Sequence, residues 1–226
     1  ALAELPAVAP SFSVLGNHEY YAGAADWVKH FQAMGLSVLM NSRAIVKKGA
    51  ARMMVAGVTD PAASMYDPRL TPRADIAAGN EAADFRLLLA HNPKLAPAGA
   101  KAGFDLQLSG HTHAGQFFPW TLAVRLVHTQ HVAGLSREGS MWVYVSAGTG
   151  TWGPPVRFRP PTADHVNEYG NVVIRWTSMQ DLPLQIVEAA EGRARVFVWE
   201  RRRAAVIVSH GALWARPKGP AFGLPL

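Results

Sequence analysis

The sequence predicts an α/β domain, on three observations. Strand-length apolar segments recur along the chain, helix-compatible stretches lie between some of them, and small polar residues gather just past the segment ends. Polar groups at the carboxyl ends of strands are how an α/β sheet presents a site. At 226 residues the chain can bury one sizeable core, or one domain with an appendage.

Taken in order, "SFSVLG" at 11–16 is the first strand segment, closed by glycine. Residues 24–34 read as a helix that stops before "GL". "RMMVAGV" at 52–58 is the second strand, and residues 75–84 are an alanine-rich helix or polar loop. "FRLLLAH" at 85–91 is the third; the following "HNPKLAPAGAKAGFD" is a short helix or turn broken by prolines. "FDLQLSG" at 104–110 and "MWVYVSAG" at 141–148 complete the set, and four of the five segments are closely followed by Asn, His, Asp or Thr. "TGTWGPPVRFRPP" at 149–161 is too dense in Pro and Gly for regular structure and is expected to close the main domain, residues 1–160. Residues 161–226 read as an appendage, in which "GNVVIRW", "ARVFVWE" and "AAVIVSHG" could each be a strand. No internal repeat is visible.

Composition narrows the class. The chain is 49% hydrophobic and 17% charged, as in a globular protein, and its lack of cysteine excludes disulfides and thiolate metal ligands. No apolar run approaches the roughly 18 to 20 residues that span a bilayer. The opening "ALAELPAVAPSF" lacks the basic start and long apolar middle of a secretory signal, and the initial Ala leads us to expect a processed or truncated product. The net charge of +6 is uneven: residues 1–92 balance, 93–160 carry +4, 161–192 carry −4 and 193–226 carry +6. A basic tail of this kind, with "ERRRAA" at 200–205, reads as solvated surface, so no specific nucleic-acid partner is expected. An anionic membrane surface is the other partner it could meet.

Three polar clusters carry the chemistry: Asn17-His18-Glu19 after "VLG", His91-Asn92 after "RLLLA", and "GHTHAGQ" at 110–116 after "FDLQLS". Residues two apart in extended backbone point the same way, so His111 and His113 can face one cavity and serve one ion or two neighbouring ions. Imidazole suits zinc, iron and manganese, and an amide oxygen adds a hard neutral donor. Gly110 and Gly115 let the turn close tightly. Singly, "NHE" is more often a turn and His91 more often a satisfied polar residue, while the H-x-H between glycines is evenly balanced; their occurrence together, each at a strand end, is the signal.

The order G-N-H-E, then a lone His after an apolar strand, then G-H-T-H, resembles the calcineurin-like metallophosphoesterases. "VLGNHEYYAG", "LLLAHNP", "SGHTHAGQ" and "GTGTWGPPVR" are similar to the bacterial branch of small phosphodiesterases, often membrane-anchored or exported. The resemblance covers residues 1 to about 158 and implies a four-layer α/β/β/α sandwich with a two-metal site at its strand ends. It implies that Asn17, His91 and His111 hold one ion and His113 the other, with manganese, iron or zinc as candidate ions. His18 would stand beside the phosphate as proton donor or charge clamp, Glu19 would support a ligand, and Gln116 and Arg157 would touch substrate. The substrate is then a phosphate ester, diester or monoester.

Two family motifs are lacking. D-x-H and G-D-x-x-D should precede G-N-H-E, yet none of the eight aspartates begins D-x-H and none of the twenty glycines is followed by Asp. The expectation is therefore a metallophosphoesterase sandwich without its N-terminal strands. The donors named so far are one amide and three imidazoles, all neutral, and two dications without a shared carboxylate repel strongly. Such a chain alone should bind at most one metal weakly and hydrolyse phosphate esters poorly or not at all. A non-catalytic scaffold of the same fold, or a damaged gene product, would fit the same residues. Oligomeric state and location stay open, the resemblance favouring a membrane-associated or exported bacterial protein.

Overall fold

In a computed structural model, described over residue 6 and residues 10–117, 119–127, 129–146, 172–175, 205–209 and 212–214, the strands form two sheets. The first contains β1 (Phe12–Ser13), β2 (Ser37–Val38), β9 (Val172–Arg175), β10 (Ala205–Ser209) and β11 (Ala212–Trp214), in the order β2-β1-β11-β10-β9. The second contains β3 (Ser42–Lys48), β4 (Ala51–Gly57), β5 (Phe85–Leu89), β6 (Leu106–Ser109), β7 (Gly134–Glu138) and β8 (Met141–Val145), in the order β3-β4-β5-β6-β8-β7. Its middle strands β4, β5, β6 and β8 run parallel, and β3 and β7 close the edges antiparallel. The helices are α1 (Asn17–Tyr21), α2 (Ala24–Ala33), α3 (Ala74–Ala78), α4 (Ala96–Lys101) and α5 (Trp120–Val127).

The layers follow from the two-residue alternation of strand side chains. Met53 and Val55 of β4, Leu87 and Leu89 of β5, and Leu106 and Leu108 of β6 share one face, where they pack with Phe12 of β1 and with Val14 and Leu39, each just past a strand of the first sheet. Met54 and Ala56, Leu88, and Met141 and Val143 take the opposite face and pack on Ala74, Ala77 and Ala78 of α3 and Ala96 of α4. Alanine on the buried side of α3 lets that short helix lie close to the strands. A third cluster joins Leu15 and Tyr20 to Val28 and Phe31 of α2 and Val38 of β2. Helices, sheet, sheet and helices make the four-layer α/β/β/α sandwich.

Gly57 lies close against the residues that follow β1 and β2. A Cβ there would stand 2.4 Å from Leu39 Cβ and 2.6 Å from Val14 Cγ1, closer than real atoms pack. Glycine at the end of β4 thus fixes the spacing of the layers just below the strand ends.

All five predicted strand segments contain strands, although "SFSVLG" pairs only over Phe12–Ser13. Of residues 75–84 only the start is helical, because α3 stops at Ala78, before Gly79, whose φ of +47° leaves the helical region. "HNPKLAPAGAKAGFD" supplies a 3-10 turn at Pro93–Leu95 and then α4, with Pro97 near the α4 start where its missing N–H costs nothing. "GNVVIRW" and "AAVIVSHG" contain β9 and β10, whereas "ARVFVWE", the arginines at 201–203 and the expected boundary near residue 160 lie outside the described residues.

Candidate metal centre

Four side chains meet at the carboxyl ends of β1, β4, β5 and β6. Asn17 opens α1, four residues past Ser13, and the start of that helix is held by Glu19, whose Oε2 accepts from the Gly16 N–H at 2.7 Å. Glu19 therefore acts on the backbone that carries Asn17. His91 lies two residues beyond β5, and its carbonyl accepts from Gly110 N–H at 3.0 Å, tying the loop after β5 to the loop after β6. His111 lies two residues beyond β6.

The loop of His111 is strained. His111, His113, Ala114 and Gln116 all have φ between +49° and +71°, a region non-glycine residues seldom occupy, and each such residue costs on the order of 1 kcal/mol. Thr112 pins the loop: its hydroxyl donates to Val132 O at 2.5 Å and accepts from Ala114 N–H at 3.3 Å. Strain of this kind persists where surrounding structure over-determines it. Here the loop carries the His111 ring that meets His91 and Asn17.

The result is a tight donor set. Asn17 Oδ1 lies 3.0 Å from His91 Nε2 and 3.1 Å from His111 Nδ1, accepting from either ring in the tautomer that carries a proton there. The imidazoles stand edge to face, with centroids 5.2 Å apart and planes at 77°. Asp60 joins them: ligand atoms of Asp60, His91 and His111 all lie within 4.8 Å of one another.

Asp60 is a carboxylate beside these imidazoles that the sequence reading did not place there. It sits three residues past β4, at 1% exposure, and caps the 3-10 turn Pro61–Met65 by accepting from Ala62 N–H at 2.9 Å. Burial pushes its carboxyl up to about 6; the Ala62 N–H works against that shift and the Glu19 charge adds to it. The available signal was position: Thr59-Asp60 follows a strand as Asn17, His91 and His111 do, but "TDP" also reads as a plain turn start.

The other expected site residues are placed as follows. His18 is exposed on α1 next to Asn17, edge-on to Tyr21 with centroids 5.8 Å apart. His113 is half-buried, two residues along the strained loop, outside the group formed by Asp60, His91 and His111. Gln116 is fully buried in the same loop. Arg157 lies outside the described residues.

This donor chemistry fits a divalent cation. Metal–ligand bonds of about 2.1 Å at right angles set neighbouring donors about 3 Å apart, the separation seen between Asn17 Oδ1 and both imidazole nitrogens. Gly16 is part of the fit, since a Cβ there would stand 2.8 Å from His91 Cε1 and Nε2. Gly16→Ala is therefore expected to push the His91 ring aside and weaken divalent-metal binding about tenfold while the fold persists. Calorimetric titration with manganese, beside a thermal melt, checks this.

No family model matches the chain. Individual relatives do. A Helicobacter pylori metallophosphoesterase is 35% identical over 160 residues, covering 67% of this chain and 40% of its own length. The Danio rerio protein named "transmembrane protein with metallophosphoesterase domain" is 36% identical over 157 residues, covering 65% of this chain and 36% of its own length. The Escherichia coli phosphodiesterase YaeI is 29% identical over 173 residues, covering 70% of this chain and 58% of its own length. The chain thus spans about 40% of the first of these and under two thirds of each. Relatives sharing that name, a strand-end cluster of Asn, His and Asp, and the motif order of the sequence all lead to one assignment: the chain belongs to the metallophosphoesterase family.

Proposed function

We propose that this chain carries part of a metal-dependent phosphoesterase centre, acting on phosphodiesters or phosphomonoesters, and that alone it hydrolyses them poorly or not at all. The observation that carries the reading is the convergence of Asn17, His91 and His111 within 3.0 and 3.1 Å contacts, from segments that follow three different strands. Asn17, His91 and His111 would hold one ion, and His113 would contribute to a second. Divalent ions in such a centre supply a water nucleophile at neutral pH and polarise the phosphoryl oxygens.

The chain's own residues do the rest. Asn17 orients both imidazoles through one oxygen. His18, exposed one position along α1, can give a proton to the leaving oxygen or clamp the developing charge. Gln116 and Arg157 are the proposed substrate contacts. Manganese, iron and zinc all suit these donors. A single carboxylate among the converged donors leaves most of the charge of an ion pair uncompensated, which supports the reading of at most one weakly held ion.

Relatives named as transmembrane proteins support a membrane-associated setting; among the described residues no helix is long and apolar enough to cross a membrane. The basic stretch at 201–203, proposed to meet anionic lipid, lies outside the described residues.

Metal analysis and turnover of bis-p-nitrophenyl and p-nitrophenyl phosphate test the reading. At most about one manganese per chain and slow or absent turnover are expected. Two tightly held ions with brisk turnover would overturn the incomplete-centre part, and indifference to every divalent metal would overturn the centre itself.

A further inference from the structure

Asp60 has one oxygen accounted for and one not. Oδ1 accepts the capping bond from Ala62 N–H at 2.9 Å. Oδ2 is buried and has no hydrogen-bond partner among the described residues. None of the ion pairs of the described residues involves Asp60. Buried carboxylates are paired with a cation or coordinate a metal, since an isolated buried charge is costly. Capping alone does not call for a carboxylate, because Asn and Ser cap as well.

Three neighbours define what the site lacks. The ligand atoms of His91 and His111 lie within 4.8 Å of those of Asp60, and neither imidazole is a permanent cation. Tyr20, the buried residue of α1, feels the Asp60 charge, and burial with that charge holds its hydroxyl well above the usual range, so it stays a neutral neighbour. A cation placed among Asn17, His91 and His111 would fall within direct or single-water reach of the Asp60 carboxylate.

We propose that Asp60 is the anionic partner of the ion held by Asn17, His91 and His111, its carboxylate supplying charge compensation from the end of β4. The proposal rests on the metal-centre reading given above and adds a residue outside the motifs that led to it. Asp60 is thereby a positioning and charge-compensating residue, with its cap bond as a second duty.

Asp60→Asn separates the two duties, because an asparagine oxygen can still accept from Ala62 N–H. The full chain, its Asp60→Asn variant and a His111→Ala variant are titrated with manganese by calorimetry and by the paramagnetic resonance of the free ion. The expected result is a loss of about 10- to 100-fold in affinity for Asp60→Asn with the melting temperature of the metal-free chain retained, and a loss of binding for His111→Ala. Wild-type affinity in Asp60→Asn, with binding lost in His111→Ala, would overturn the role of Asp60 and leave the centre standing. Equal binding by wild type and His111→Ala would remove the centre and Asp60 with it. Should Asp60→Asn fail to fold, Asp60→Ser supplies the uncharged cap; unfolding of both variants without metal would mean that the carboxylate serves the fold, against the proposal.

Discussion

Replacing His91 with alanine is expected to lower the affinity of the chain for manganese by about 100-fold or more, measured by calorimetric titration, with the secondary structure intact by circular dichroism. His91 is 7% exposed, in contact with Asn17 Oδ1 at 3.0 Å and edge to face with His111. Truncation removes one nitrogen donor and also the wall that steadies the other ring. Loss of a donor should exceed loss of a supporting group, so His91→Ala should weaken binding more than Gly16→Ala. A substitution that leaves affinity unchanged would take His91 out of the centre. The strand β5 ends before His91, and the sheet's face contacts come from Leu87, Leu88 and Leu89, so the fold does not depend on the imidazole.

The largest effect on stability is expected at Gly57. Gly57→Val should destabilise the chain by about 3 kcal/mol or more, read from the midpoint of urea unfolding. The new Cβ would overlap Leu39 Cβ and Val14 Cγ1, and the Leu39 carbonyl oxygen at 3.2 Å blocks a sideways escape. None of these atoms is the loose end of a long side chain, so relief requires the sheets to part. The exposed Lys29, paired with Asp26 at 3.3 Å, is the contrast: Lys29→Ala should stay within about 0.5 kcal/mol. Comparable values for the two variants would mean that the sheets are not packed as described.

Much of the site was legible because its residues break a pattern. An apolar run, a glycine or alanine and then Asn or His marks the end of a strand and a polar group at the same time. Asp60 was not legible, since its capping of Pro61–Met65 gives it an ordinary local reason to exist. Only its buried carboxylate, with ligand atoms of two imidazoles within 4.8 Å, distinguishes it, and those come from residues some 30 and 50 positions away.

The fold was legible to a similar depth. Runs such as "FRLLLAH" announce a buried strand but not which residues face which layer, because both faces are apolar; Leu87 and Leu88 part company only once β4 and β6 are in place. β3 and β7 escaped notice for the opposite reason. Both are edge strands with mostly half-buried residues and charges among them, so they lack the hydrophobic signature of the middle strands. α5 was likewise missed, lying directly after the strained loop in a stretch with no capping signal.

The contacts of Asn17 reach residues 74 and 94 positions further along the chain. An ion seated among these groups would brace three stretches that remain far apart in the unfolded polypeptide, so it would favour the native state alone. At a free concentration one hundred times its dissociation constant, mass action adds about 2.7 kcal/mol to stability. Heat resistance would then follow the supply of metal, and a chelator would act as a mild denaturant.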